Sequence, residues 1–178
     1  MGKRSSNFER KERDFYPTPP ECVESLIPHL VDYQYFIEPC AGDGALVDAI
    51  EDQTHMHCRW LSDIEPNRQD IMPLDALDIT HTQAQDAEVI ITNPPWTRKI
   101  LHEMIDHFIT IRPTWLLADA DWIHTKQSSR FTNRSSLKKI VSVGRVKWFG
   151  NTTGKDNACW YLFDRENTST PKFYGRLV

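Results

Sequence analysis

Four consecutive residues, Asn93-Pro94-Pro95-Trp96, follow directly on an apolar run from Ala87 to Thr92. Such a run reads as a buried strand, so the tetrapeptide caps its C-terminal end, the edge on which open parallel sheets bind ligands. The prolines cannot extend the sheet and fix their own φ near about −65°, which holds the Asn93 amide and the Pro94 carbonyl as two rigid acceptors aimed at one point. Two converging acceptors suit a planar amine conjugated to a ring or a carbonyl. That nitrogen is a poor nucleophile because its lone pair is delocalised. Accepting hydrogen bonds from both its protons draws it toward tetrahedral geometry and frees the lone pair to attack an electrophilic methyl. No base is needed first, since the proton turns acidic only after transfer, and catalysis reduces to positioning and preorganised electrostatics. Trp96 offers an aromatic face on which an extruded base can stack, worth about 1 to 3 kcal/mol. Alone, the tetrapeptide serves base and amide substrates equally.

The elements upstream must bring a small ligand to that edge. Phe36-Ile37-Glu38-Pro39-Cys40-Ala41-Gly42-Asp43-Gly44-Ala45-Leu46 runs from an apolar strand through a Gly-x-Gly turn into a helix, so backbone can approach a ligand where a side chain would block it. The loop is not a phosphate cradle: no Gly-Lys-Ser/Thr is present, and Val47 stands where a dinucleotide fingerprint needs its third glycine. A second strand ends in Ser62-Asp63-Ile64-Glu65-Pro66. It presents Asp63 for both hydroxyls of a ribose and Ile64 as an apolar face for an adenine. After a third strand region, Asp78-Ile79 is the candidate acceptor for an adenine amine, with Asp75 a close competitor in the same loop.

At 178 residues, with 39% hydrophobic and 26% charged residues, the chain fits one globular domain. Residues 1–13 are expected to form a charged arm and 14–178 one catalytic domain. No apolar run approaches a membrane span and no signal core opens the chain, which reads as cytosolic. The four cysteines are scattered without a Cys-x-x-Cys pair, so neither disulfides nor a metal site is expected. Strands at 34–37, 57–61, 87–92 and 114–118 alternate with helices at 45–52 and 98–111, after an N-terminal helix from Pro19-Pro20 toward Val31. Two strand-like runs, 140–149 and 158–163, close the chain as a hairpin around Gly150–Gly154. The fold class is therefore α/β: a single doubly wound, mostly parallel, seven-stranded sheet with a C-terminal antiparallel hairpin.

Charge is lopsided. Residues 1–96 hold 7 Lys/Arg against 18 Asp/Glu, and residues 97–178 hold 14 against 7. From Trp122 to Lys155 the chain carries Lys126, Arg130, Arg134, Lys138, Lys139, Arg145, Lys147 and Lys155 without an Asp or Glu, which suits a polyanion.

Taken together the motifs resemble the class I S-adenosylmethionine-dependent methyltransferases, specifically the N6-adenine amino-methyltransferases of nucleic acids, including phage and restriction-type DNA adenine methylases. The resemblance spans roughly residues 15 to 164. Asp14-Phe15-Tyr16-Pro17-Thr18-Pro19-Pro20 looks like the N-terminal motif, which implies that Tyr16 and Thr18 line the methionine end of the cofactor. Glu38-Pro39-Cys40-Ala41-Gly42-Asp43-Gly44 is similar to the Gly-rich motif, which implies that Glu38, Pro39, Gly42 and Gly44 contact it. Ser62 to Pro66 resembles the ribose motif, Asp78 the acid of the third, and Asn93-Pro94-Pro95-Trp96 the catalytic motif. The resemblance implies methyl transfer from S-adenosylmethionine to adenine N6, DNA favoured. Lys126, Arg130, Arg134, Lys138, Lys139, Lys147 and Lys155 would form a phosphate clamp, and the segment from Trp122 to Arg134 would be able to close over a flipped base. RNA adenine, a protein glutamine amide and a non-catalytic cofactor-binding subunit remain as alternatives. Trp in the fourth position departs from the commoner Tyr or Phe. A separate target-recognition domain, usual in such DNA enzymes, is not expected here.

Overall fold

The structure, a computed structural model, describes residues 16–132, 136–148 and 157–176. Among the described residues eight strands form one sheet: β1 (Tyr35–Glu38), β2 (His57–Asp63), β3 (Met72–Pro73), β4 (Val89–Thr92), β5 (Thr114–Asp119), β6 (Leu137–Arg145), β7 (Asn157–Phe163) and β8 (Lys172–Tyr174). Their order is β3-β2-β1-β4-β5-β7-β6-β8. Among these described strands only β7 is reversed, antiparallel to both β5 and β6.

The chain winds outward from β1 to β2 and β3, then crosses back to place β4 on the other side of β1. Winding therefore changes direction between β1 and β4, and a crevice opens beyond their C-terminal ends. Glu38 ends β1 and Asn93 follows β4, so the sheet order alone puts them side by side.

Period-2 alternation divides the strands between two apolar layers. Phe36, Val89, Ile91, Trp115, Leu117, Trp160 and Leu162 pack with α1 (Glu21–Glu24) and α2 (Ala45–Gln53). Between β3 and β4 lies α3 (His81–Ala84), opened by a capping box between Thr80 and Gln83. Ile37, Ile90, Leu116, Tyr161 and Phe163 point the other way, toward α4 (Arg98–Phe108), which buries Leu101, Met104, Ile105 and Phe108 at helical spacing.

Several boundaries differ from expectation for local reasons. The helix read from Pro19 toward Val31 is split into α1 and a 3-10 turn at Ile27–His29, because Pro28 has no N–H to donate to Glu24 and its ring disfavours helical backbone at Ile27. β6 spans Leu137–Arg145 rather than 140–149, and the 150–154 turn lies outside the described residues, as does the 1–13 arm. The sheet has one strand more than the seven expected: β8, three residues long, pairs parallel with β6. The stretch after β5, expected to be able to close over a flipped base, is a packed module of 3-10 turns and α5 (Ser129–Thr132). It is anchored by Trp122 and Phe131, both buried against Tyr161 and Phe163. Its burial does not suit a lid.

Trp160 is fully buried and donates its indole N–H to the Cys22 carbonyl at 2.8 Å, tying the N-terminal segment to the centre of the sheet. Trp160→Phe leaves that carbonyl without its donor. We expect a loss of about 1 to 3 kcal/mol, read as a melting point lower by roughly 2 to 4 °C per kcal/mol for a chain of this size. An unchanged melting point would show that the tie contributes nothing.

Candidate active site

The crevice at the switch point is a cavity of about 410 Å³, within the usual size for a small ligand. Its floor is the turn between β1 and α2. Gly42 and Gly44 sit at φ 57 and 85°, in the left-handed region where other residues are strained. A Cβ on Gly44 would also run into the guanidinium of Arg68. That guanidinium bridges Asp48 on α2 at 2.8 Å and Asp70 at 2.7 Å, so the loop after β2 straps over the start of the helix.

Asp63 braces the same turn. Its Oδ2 accepts from the Gly42 N–H and its Oδ1 from the Glu65 N–H, both at 2.8 Å. A carboxylate has about four acceptor positions, so each oxygen keeps a lone pair for a ligand. Ile64 stands 58% exposed at the cavity wall and offers apolar surface to a ligand.

Among the described residues the lining contains six carboxylic acids, Glu38, Asp43, Asp63, Glu65, Asp75 and Glu103, and no Lys, Arg or His. Such a cavity favours a cationic ligand and repels a phosphate. Glu38 is the buried member, 1% exposed, with Oε2 lacking a hydrogen-bond partner among the described residues. Burial, then the nearby Asp63 and Asp43 carboxylates, push its carboxyl well above the usual range, against a smaller opposing pull from Arg68.

On the far side, the catalytic motif is held by side-chain bonds. Asn93 Nδ2 donates to Thr18 Oγ1 at 3.1 Å and to the Tyr16 carbonyl at 3.3 Å. Asn93 Oδ1 accepts from the Trp96 indole N–H at 3.2 Å. The N-terminal Tyr16 to Thr18 segment therefore lines the cavity and also fixes the amide across it.

Of the expected cofactor residues, Tyr16, Thr18, Glu38, Pro39, Gly42, Asp63, Ile64 and Asn93 line the cavity, and Gly44 shapes the turn beneath it. Asp78 and Ile79 do not. Asp75 caps a 3-10 turn at Ala76–Asp78 by accepting from Leu77 N–H. That turn sends Asp78 out to solvent and Ile79 into the core, and leaves Asp75, Ala76 and Leu77 on the cavity. Within the tetrapeptide, Asn93 and Pro95 face the cavity while Pro94 is buried. Trp96, expected as a stacking surface, is half-buried. It packs against the α1 and α2 layer, and its N–H also reaches the Leu117 carbonyl at 3.1 Å. Its ring meets Trp148 edge-on at 5.5 Å, and Trp148 lies 6.2 Å from the Tyr16 ring. Sequence reasoning misses Trp148, since an aromatic shortly before a turn has no distinguishing pattern.

The basic residues separate. β6 runs parallel to β5, so Leu137 lies at the sheet edge opposite the cavity and Arg145 at the cavity edge. Lys138 and Lys139 therefore sit roughly 20 Å from the cavity edge at about 3.3 Å per residue, Lys138 paired with Asp164 at 3.0 Å. They do not belong to a clamp around the cavity. Lys126 and Arg130 line a groove with Lys99 on the outer flank of α4, with Arg130 paired to Asp106 at 2.7 Å. Lys147 is exposed just past β6, next to Trp148. Arg134 and Lys155 lie outside the described residues.

No family model and no curated protein matches the chain. Solved structures do. A candidate RNA methyltransferase from Pyrococcus horikoshii aligns with a TM-score of 0.58 at 13% identity, over 89% of this chain and 92% of that one. A candidate class I S-adenosylmethionine-dependent methyltransferase from Listeria monocytogenes gives 0.62 at 9% identity, over 95% and 68%. The M protein of the type I restriction enzyme EcoKI gives 0.56 at 12% identity, over 90% of this chain and 48% of that one. The chain has the class I methyltransferase fold.

Because its folded-state carboxyl lies above the unfolded value, Glu38 contributes stability that is complete below the ordinary carboxylate range and is lost as pH rises through the raised value. Glu38→Gln cannot ionise. Denaturant titrations across pH should therefore show wild type losing stability relative to Glu38→Gln as pH rises, by at most about 1.4 kcal/mol per unit. Parallel profiles would mean that folding does not raise the Glu38 carboxyl.

Proposed function

We propose that this chain transfers a methyl group from S-adenosylmethionine to the exocyclic N6 amine of adenine in nucleic acid, with DNA preferred to RNA. The observation that carries the reading is the orientation of Asn93, whose oxygen, among the described residues, keeps one open lone pair at the mouth of an acid-lined cavity.

The residues present fit the cofactor. Unpartnered Glu38 Oε2 and the ring of carboxylates favour a ligand that carries a sulfonium and an ammonium and has no phosphate. Asp63 would take the ribose hydroxyls, Ile64 and Leu77 would flank the adenine, and Asp75 would accept from its amine. When bound, the cofactor supplies the methyl as an electrophile. Its sulfonium would leave as a neutral thioether as the S–C bond breaks and the N–C bond forms. The protein's part would be to hold the target amine: Asn93 Oδ1 would accept a hydrogen bond from one amine N–H and favour the pyramidal nitrogen whose lone pair faces the methyl. One proton then leaves to water, and no general base is assigned.

Nucleic acid is supported by the uneven charge of the chain and by Lys126, Arg130 and Lys147, with Lys99 added from α4. Among the neighbours, the EcoKI M protein belongs to a restriction enzyme, which favours DNA. The Pyrococcus neighbour bears an RNA methyltransferase name and keeps RNA as the second reading.

Incubation with methyl-labelled cofactor and separate DNA, RNA and protein pools, followed by nucleoside mass spectrometry, should give N6-methyladenine. Asn93→Ala should lower its formation by about 10² or more. Label in protein alone, or undiminished in Asn93→Ala, overturns the reading. Calorimetry separates the two candidate acids: Asp75→Ala should weaken cofactor binding about tenfold, the cost of one lost hydrogen bond to a buried polar group, and Asp78→Ala should leave it unchanged. The reverse pattern would return the adenine contact to Asp78.

A further inference from the structure

We infer that Trp96 is a positioning residue: its indole N–H fixes which way the Asn93 amide faces. The inference rests on Asn93 being the acceptor for the reacting amine.

An asparagine side chain is nearly symmetric in shape, and turning it over exchanges oxygen for nitrogen with little steric consequence. Only partners that cannot exchange roles decide between the two settings. Thr18 Oγ1 is no such partner, because a hydroxyl donates as readily as it accepts. The Tyr16 carbonyl accepts only, but at 3.3 Å it is the longest of the three contacts. The indole N–H donates only, and faces Asn93 Oδ1 at 3.2 Å. A reversed amide would set N–H against N–H there, and would offer a donor instead of an acceptor to an incoming amine.

The indole cannot turn aside to allow this. Its N–H is shared with the Leu117 carbonyl on β5, its ring packs against the apolar layer, and its edge abuts Trp148. Among the aromatic side chains that fill such a place, Phe has no polar donor, and Tyr carries its hydroxyl at the far end of the ring. Trp supplies a ring N–H where the amide oxygen lies. Trp96 is absent from the cavity lining, so it acts through Asn93 rather than on the small ligand.

The test compares wild type with Trp96→Phe, and with benzothienylalanine incorporated at position 96. The latter keeps both rings and replaces only the N–H, so it remains informative where Trp96→Phe folds poorly. Single-turnover methylation at saturating DNA and cofactor should fall about tenfold in both variants, with affinity for an adenine-containing duplex within about twofold of wild type. The Asn93 side-chain amide pair, identified in nitrogen-15 spectra by its loss in Asn93→Ala, should shift and exchange faster. A weakened duplex affinity with an undiminished saturated rate would make Trp96 a stacking surface and overturn the inference. So would an Asn93 amide pair unmoved by either variant, a measurement that needs no substrate. If wild type methylates no nucleic acid, the substrate reading fails while the spectra still decide the role of Trp96.

Discussion

A side-chain amide has two donor hydrogens and two acceptor lone pairs, and at Asn93 three of the four are committed among the described residues. Much of the architecture serves to bring the three partners there. Tyr16 and Thr18 arrive on the N-terminal segment, which is held down by the Cys22 to Trp160 bond. Trp96 is held by the carbonyl of Leu117, so β5 as well as β4 takes part. The switch point between β1 and β4 then sets the one remaining lone pair beside the Gly42–Gly44 turn. Preorganisation of this kind means that reorganisation is met during folding, not during the reaction.

The central sheet was legible because its signals are local. β1, β4 and β5 are apolar runs ended by turn residues, and α4 carries an apolar stripe at helical spacing, so each was placed to within a few residues. Asp63 and Asn93 were legible for the same reason: each sits at the tip of a recognisable strand. Legibility failed where three-dimensional context decides. Asp75 and Asp78 stand in a loop without periodicity, and only the cap that Asp75 forms shows which acid faces inward. β8 is three residues and pairs with β6, an arrangement no short window displays. The packing of the module after β5 was not legible because its two anchors, Trp122 and Phe131, are separated by mostly polar residues.

The acidic and basic halves of the chain take on different meanings once folded. The acidic excess of residues 1–96 is partly gathered into one cavity, where low-dielectric walls lengthen the reach of each charge. The basic excess of the second half is dispersed by strand register. Lys138 and Lys139 are pointed to one edge of the sheet and Lys147 to the other by the nine residues of a single strand. Contiguity in sequence overstated the size of the basic surface, because an extended strand separates neighbours in sequence faster than any other element.

The position of β7 between β5 and β6 sets an order of assembly. Every described residue that lines the cavity lies between Tyr16 and Met104, whereas Trp148 comes from beyond β6. Until β7 arrives, β5 is an unpaired edge with Trp115 and Leu117 on one of its faces, the kind of strand that recruits foreign chains. During synthesis the small-molecule pocket is therefore complete in sequence well before its flank is sealed. A ligand would add its stabilisation only once β7 has arrived, because Trp160 on that strand holds down the segment whose Tyr16 to Thr18 residues wall the cavity.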